Sequence, residues 1–215
     1  EDAFRRLGGF KDFKLDNIAG ADPVFNYRNK MEFTFSPHRW VLESEPKDVD
    51  KSFALGLHIP GRYDKILNIH ECHIQPEIGN RILSLARDVC LKHEELKPYD
   101  PKTHIGFLRC LMLRYGVNTD QVMVNIVTAY DDLNKLSPLT DMLLDKVPEI
   151  TSMMNNVNTR KADVAFGEYE TLVYGQPFIE EKMKDLTFEV SANSFFQTNT
   201  IQGKKLYDET LKAAD

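Results

Sequence analysis

The stretch Phe188-Glu189-Val190-Ser191-Ala192-Asn193-Ser194-Phe195-Phe196-Gln197-Thr198-Asn199-Thr200 decides how this chain is read. It predicts a strand, then a turn carrying aromatics and carboxamides, then a helix that Thr200 can cap, with Ile201, Leu206, Tyr207 and Leu211 facing in. In open α/β sheets a small-molecule site commonly sits at such a strand-to-helix junction. Here the junction lies close to the last residue, Asp215, so a catalytic part is expected to begin where this sequence stops. Two adjacent rings in a turn point in different directions, which leaves one exposed. An exposed ring is a stacking platform for a base, and Gln197 offers both donors and an acceptor. A core Phe pair with a polar turn fits the same residues.

Upstream, the pattern supplies a body for this junction. Asn26 to Ser36 alternates, with Tyr27, Asn29, Met31, Phe33 and Phe35 on one side and Arg28, Lys30, Glu32 and Thr34 on the other, which predicts a half-buried strand with a charged outer face. Cations at alternate positions can meet a phosphate backbone together; a solvated outer face explains them equally. Ser36 to Lys51 reads as a polar loop. Phe53–His58 and Lys65–Ile69 read as strands around a turn at Pro60–Asp64. Gln75 to Glu94 reads as a helix with Ile78, Ile82, Leu85 and Val89 in one stripe and Pro76 in its first turn.

A Pro-rich linker, Lys97–Lys102, leads to Ile105–Tyr115 and Val122–Ala129, a pair of apolar strands expected to form an antiparallel hairpin around Gly116–Asp120. Ser137-Pro138 opens a further helix. Thr151–Val157, Thr171–Tyr174 and Leu186–Val190 read as strands. Hairpins with helices between them give α+β for most of the chain.

The 215 residues suffice for one large domain or two small ones. With 42% hydrophobic residues the chain can bury a core. No apolar run approaches the ~18 residues a membrane-spanning helix needs, and the first residues show no signal-peptide pattern. Three cysteines, Cys72, Cys90 and Cys110, argue against a disulfide scaffold and for a reducing, cytoplasmic setting. None has zinc-knuckle spacing. The net charge of −6 weighs against nucleic-acid binding, but binding depends on local field. Cations cluster at Arg28 and Lys30, at Arg62 and Lys65, at Arg109 and Arg114, and at Arg160 and Lys161. There is no Gly-rich phosphate loop, no Gly-x-Ser-x-Gly, and no persuasive Cys–His pair. Cys72 lies between a strand and a helix with His70 and His73 beside it. One thiolate cannot hold a cluster, and a half-buried small residue is the plain reading.

Taken together, Tyr27-Arg28-Asn29-Lys30-Met31-Glu32-Phe33, the pair Leu55-Gly56-Leu57-His58 and Ile69-His70-Glu71-Cys72, and Ser194-Phe195-Phe196-Gln197-Thr198-Asn199 resemble the uracil-5 RNA methyltransferases that make 5-methyluridine in 23S ribosomal RNA or tRNA. The resemblance runs from about Gly20 to the end of the sequence. It implies a central α/β domain with an antiparallel sheet and packed helices over residues 22–185, then the first strand-turn-helix of a class I, Rossmann-like methyltransferase domain over 186–215. Residues 1–21 would pack back onto that catalytic domain.

The resemblance also implies roles. Phe195 would lie against the target uracil, Gln197 would contact S-adenosylmethionine, and Asn199 would accompany it on the RNA side. Arg28 and Lys30 would face RNA. Cys72 would be the fourth ligand of a 4Fe-4S cluster in members that carry one, its partners lying before Glu1. In that family a cysteine thiolate attacks C6 of uracil, and a carboxylate helps remove the C5 proton after methyl transfer. Both groups are expected past Asp215, so this piece alone should be silent. The implied partner is RNA, 23S ribosomal RNA before tRNA, with no membrane and a monomeric full-length protein. A stand-alone RNA-binding module, or a protein-interaction domain whose aromatics are core, remains open from the residues themselves.

Overall fold

The strand pattern is realised as a mixed eight-stranded sheet in the computed structural model, which describes residues 1–15, 17–46, 48–161 and 167–214. In chain order the elements are α1 (Asp2–Arg6), β1 (Lys30–Ser36), β2 (Arg39–Trp40), β3 (Ala54–Ile59), β4 (Arg62–Asn68), α2 (Glu77–Cys90), β5 (Leu108–Gly116), β6 (Gln121–Thr128), α3 (Leu133–Lys146), β7 (Ile150–Val157), β8 (Tyr169–Gly175), β9 (Phe178–Met183), β10 (Leu186–Ser191) and α4 (Thr200–Ala214). The sheet order is β2-β4-β3-β1-β5-β6-β7-β8. Most neighbours are antiparallel, as expected. The pairs β2–β4 and β6–β7 are parallel, the second because α3 carries the chain back across the sheet.

Alternation in β1 sends Met31, Phe33 and Phe35 to the helical face, where they join Leu111, Leu113, Val124 and Ile126 under α2 and α3. The opposite face takes the hairpin of β9 and β10: Ile179, Val190 and Ala192 pack on Met123 and Met154, with Phe188 and Phe196 against them. Helices thus cover one side of the sheet, and the hairpin that leads to the Phe195 turn covers part of the other. The expected boundary at residue 186 falls at the turn between β9 and β10.

Several elements differ from the sequence reading for local reasons. The loop over residues 36–51 contains β2, which is too short to show a period. β9 was hidden by its two adjacent acids. α3 begins at Leu133, before Ser137-Pro138, because Asp132 Oδ1 accepts the Lys135 N–H at 2.9 Å and caps it. Pro138 sits inside, and Ser137 Oγ donates to the Asn134 carbonyl, at 2.9 Å, that a proline cannot serve. The cap of α4 is Asn199, whose Oδ1 accepts the Gln202 N–H at 2.9 Å, and not Thr200. The stripe expected to face in from α4 is exposed at Ile201, Leu206, Tyr207 and Leu211; Thr200 and Gly203 are the buried residues. Only the first turn of α4 packs into the body. Ahead of β1, Phe4 meets Phe10 and Phe13, and Ala19 accepts a hydrogen bond from Gln202 Nε2 at 2.7 Å.

Candidate functional site

The residues just before β1 run between two other segments. Asn26 N–H donates to the His73 carbonyl at 2.9 Å and Arg28 N–H to Ile74 at 2.8 Å, while Arg28 forms a β-bridge with Asn199. Asn29 faces inward and is 5% exposed. Its N–H donates to the Thr198 carbonyl, and its Nδ2 donates to the Gln197 carbonyl and to Thr200 Oγ1, each at 2.8 Å. One side chain therefore stitches the start of β1 to the turn that precedes α4.

Thr200 passes the hydrogen bond on, Oγ1 donating to Glu181 Oε2 at 3.2 Å. Glu181 is 1% exposed. Its carboxylate also accepts the N–H groups of Val117 at 2.7 Å, Asn118 at 3.0 Å and Lys182 at 2.9 Å, and Asn118 Nδ2 at 3.0 Å. A buried carboxylate is tolerable only when so satisfied.

The preceding turn is held from beneath. Ser194 N–H donates to the Ser191 carbonyl, and the two hydroxyls lie 2.7 Å apart. Arg114, 3% exposed, donates from Nε to the Ala192 carbonyl at 3.1 Å and from Nη2 to Ser194 O. Burial holds its guanidinium below its ordinary pKa. With the turn clamped, Phe196 folds inward against Phe188, ring centroids 5.7 Å apart, and Phe195 projects outward, 85% exposed.

This arrangement leaves two recesses separated by Thr198. The first, about 480 Å³, is lined by Arg28, Lys30, Glu32, Ile74 and Phe195. The Lys30 ammonium pairs with Glu32 there at 2.5 Å. The second, about 330 Å³, is lined by Gln197, Asn199, Gly203, Leu206 and Glu209. Gly203 allows the close approach of Gln197, whose Cβ would lie 3.0 Å from a Cβ at that position. The Gln197 carboxamide makes no hydrogen bond among the described residues. The structure thus brings Arg28, Lys30 and Phe195 into one recess and places Gln197 and Asn199 in its neighbour, with the Asn199 oxygen engaged as a helix cap.

Cys72 lies apart, between β4 and α2, partly buried against the core. Its N–H donates to Asn80 Oδ1 at 2.9 Å. His73 beside it faces Phe25 and Glu71. No three histidine, cysteine or carboxylate side chains among the described residues could hold a metal ion, so these residues do not by themselves accommodate a cluster. Cys90 and Cys110 are buried, and burial pushes the Cys90 thiol up to about 12. No helix among the described residues is long and apolar enough to cross a membrane.

Sequence reasoning passed over Asn29, Thr200 and Glu181 as members of this site. Asn29 carried a signal, a carboxamide on the apolar side of an alternating strand, where a polar group needs partners. Glu181 carried none, since its donors come from a turn far away in sequence.

No family model matches the chain. Among curated proteins it is 42% identical over 216 residues to an uncharacterized RNA methyltransferase of Chlorobaculum tepidum, covering 98% of this chain and 44% of that protein. It is 38% identical over 214 residues to another from Porphyromonas gingivalis, covering 96% of this chain and 46% of that protein. The chain spans less than half the length of these relatives. Among solved structures, the Pyrococcus abyssi tRNA (uracil-54, C5)-methyltransferase in complex with S-adenosyl-L-homocysteine matches with a TM-score of 0.72 and 26% identity, over 97% of this chain and 45% of that one.

Proposed function

We propose, from the premise that this chain belongs with the RNA methyltransferases it matches, that it is part of an enzyme that methylates C5 of a uridine with S-adenosylmethionine. The observation that carries this reading is the paired recess: Arg28, Lys30 and an outward Phe195 on one side of Thr198, and on the other a Gln197 carboxamide with no hydrogen bond among the described residues. A base stacked on Phe195 would lie in the recess beside the one that Gln197 lines. Arg28 and Lys30 supply cationic groups for the flanking phosphates, with Asn199 at the junction. S-adenosylmethionine, when bound, supplies the methyl group; Gln197 orients it by hydrogen bonds from and to its carboxamide. Residues 186–214 belong to the cofactor-binding domain in this reading, and 22–185 to the RNA-facing one.

The thiolate that attacks C6 is not among Cys72, Cys90 and Cys110. Two are buried, and Cys72 lines neither recess. The nucleophile and the proton-removing carboxylate are assigned to the portion of the relatives' length that this chain does not span, so the chain alone transfers no methyl group. Cys72 is a partly exposed thiol suited to serve as one ligand of a 4Fe-4S cluster whose other ligands lie in that portion as well. Cysteines that form no disulfide favour a cytoplasmic setting, and the full-length protein is read as a monomer.

23S ribosomal RNA is the substrate we favour, from the segments quoted at the outset. Transfer RNA is the second reading, favoured by the structural neighbour's own activity. The test incubates the full-length protein with labelled S-adenosylmethionine and unmodified transcripts of each. Label at uridine C5 in the ribosomal transcript is expected; label in tRNA alone would replace the substrate, and none in either would overturn the reading.

A further inference from the structure

Hydrogen-bond direction is fixed all along the line from Asn29 to Glu181. The Asn29 carboxamide nitrogen can only donate, and the Glu181 carboxylate accepts. Thr200 Oγ1 takes a hydrogen bond from the first at 2.8 Å and gives its own proton to the second at 3.2 Å. We propose that Thr200 is a positioning residue: its hydroxyl anchors the Gln197–Asn199 turn between β1 and the Glu181 carboxylate, and so keeps the two recesses in register. The proposal rests on the functional reading above and deepens it.

Three observations carry it. None of Asn29, Thr200 and Glu181 lines either recess, so any effect they have passes through other residues. Asn29 stands between Arg28 and Lys30 and binds the carbonyls of Gln197 and Thr198. It therefore ties the RNA-facing strand to the cofactor-facing turn. Glu181, in turn, is fixed by three backbone N–H groups, two of them from the β5–β6 turn. The anchor belongs to the rigid sheet, and the anchored turn carries the groups that meet ligand. The hydroxyl, rather than the cap of α4, is what the chain uses at position 200, since Asn199 already caps that helix.

The test uses the full-length protein with a substrate RNA. Thr200→Val keeps the shape and removes the hydroxyl, which leaves Asn29 Nδ2 with the Gln197 carbonyl alone and the Glu181 carboxylate with one hydrogen bond fewer. It should raise the KM for both S-adenosylmethionine and RNA and lower kcat/KM about tenfold or more. Thr200→Ser restores the hydroxyl and should return both KM values towards wild type at unchanged kcat. A purely structural role would lower Tm and leave the KM values of the folded enzyme alone. Wild-type KM values in Thr200→Val, or no rescue by Thr200→Ser, would overturn the proposal. If Thr200→Val does not fold, Asn29→Ala tests the same link from its other end, with the same expected rise in both KM values and the same refutation. Gln197→Ala separates the two layers: an unchanged KM for S-adenosylmethionine there removes the cofactor assignment, while the Thr200→Val effect on the RNA KM still judges the relay.

Discussion

Replacing Arg114 by methionine should loosen the Phe195 turn and weaken the fold measurably. The guanidinium makes two hydrogen bonds to turn carbonyls, those of Ala192 and Ser194. A hydrogen bond to a charged group contributes roughly 1.5–3 kcal/mol. Against this stands the cost of burying a guanidinium, which the charge of Glu32 offsets only in part and which is visible in its lowered pKa. Methionine keeps most of the volume and recovers that desolvation. The net loss is about 2 kcal/mol, which for a domain of this size lowers Tm by roughly 4–8 °C. The assay is thermal unfolding followed by circular dichroism, together with amide hydrogen exchange across Ala192–Phe196. Exchange at Ser194 and Phe195 should quicken more than in β5 itself. A Tm unchanged within error, with exchange in the turn as slow as before, would show that Arg114 does not hold the turn.

Gly56→Ala should be among the most damaging single changes in the sheet. A Cβ there would sit 1.9 Å from the Leu67 carbonyl oxygen, a backbone atom that cannot swing away, so about 3 kcal/mol or more should be lost in urea unfolding; a tolerated alanine would contradict the β3–β4 register. Phe195→Ala in the full-length protein should weaken RNA binding by roughly 1–3 kcal/mol while leaving Tm alone, because the ring is exposed. Unchanged RNA affinity would remove it as a stacking platform. In the native chain at pH 8, iodoacetamide should label Cys72 well before Cys90, whose thiol ionises only near 12, with all three reacting in urea; equal native rates would mean the α2 face is open.

Much of the architecture was legible because it is local. β1 announced itself by alternation, and β5 and β6 by continuous apolar runs around a polar turn. Arg28, Lys30 and Phe195 were legible as groups that need something to touch. What the sequence could not show depends on distant partners. β9 reads poorly as a strand because Glu181 is a carboxylate facing inward, made tolerable by amides from residues 117 and 118. The Asn29 clamp spans 168 residues of sequence to Gln197, beyond the reach of any pattern. α4 shows the converse. Its apolar stripe is plain in the sequence, but amphipathicity marks a face and does not say whether anything in the chain covers it.

The β9–β10 hairpin also governs where this protein can be divided for expression. β9 pairs with β10, and together they seat Ile179 and Val190 on the sheet. A cut at the turn near residue 186 would strip β9 of its only strand partner in that two-stranded sheet. The front piece would then display a raw strand edge beside a bared apolar patch, an invitation to edge-to-edge aggregation. The rear piece would lose the footing of the Phe195 turn. Fragments should therefore carry β9 and β10 on the same side of the scissors, even though the boundary proposed at residue 186 runs between them.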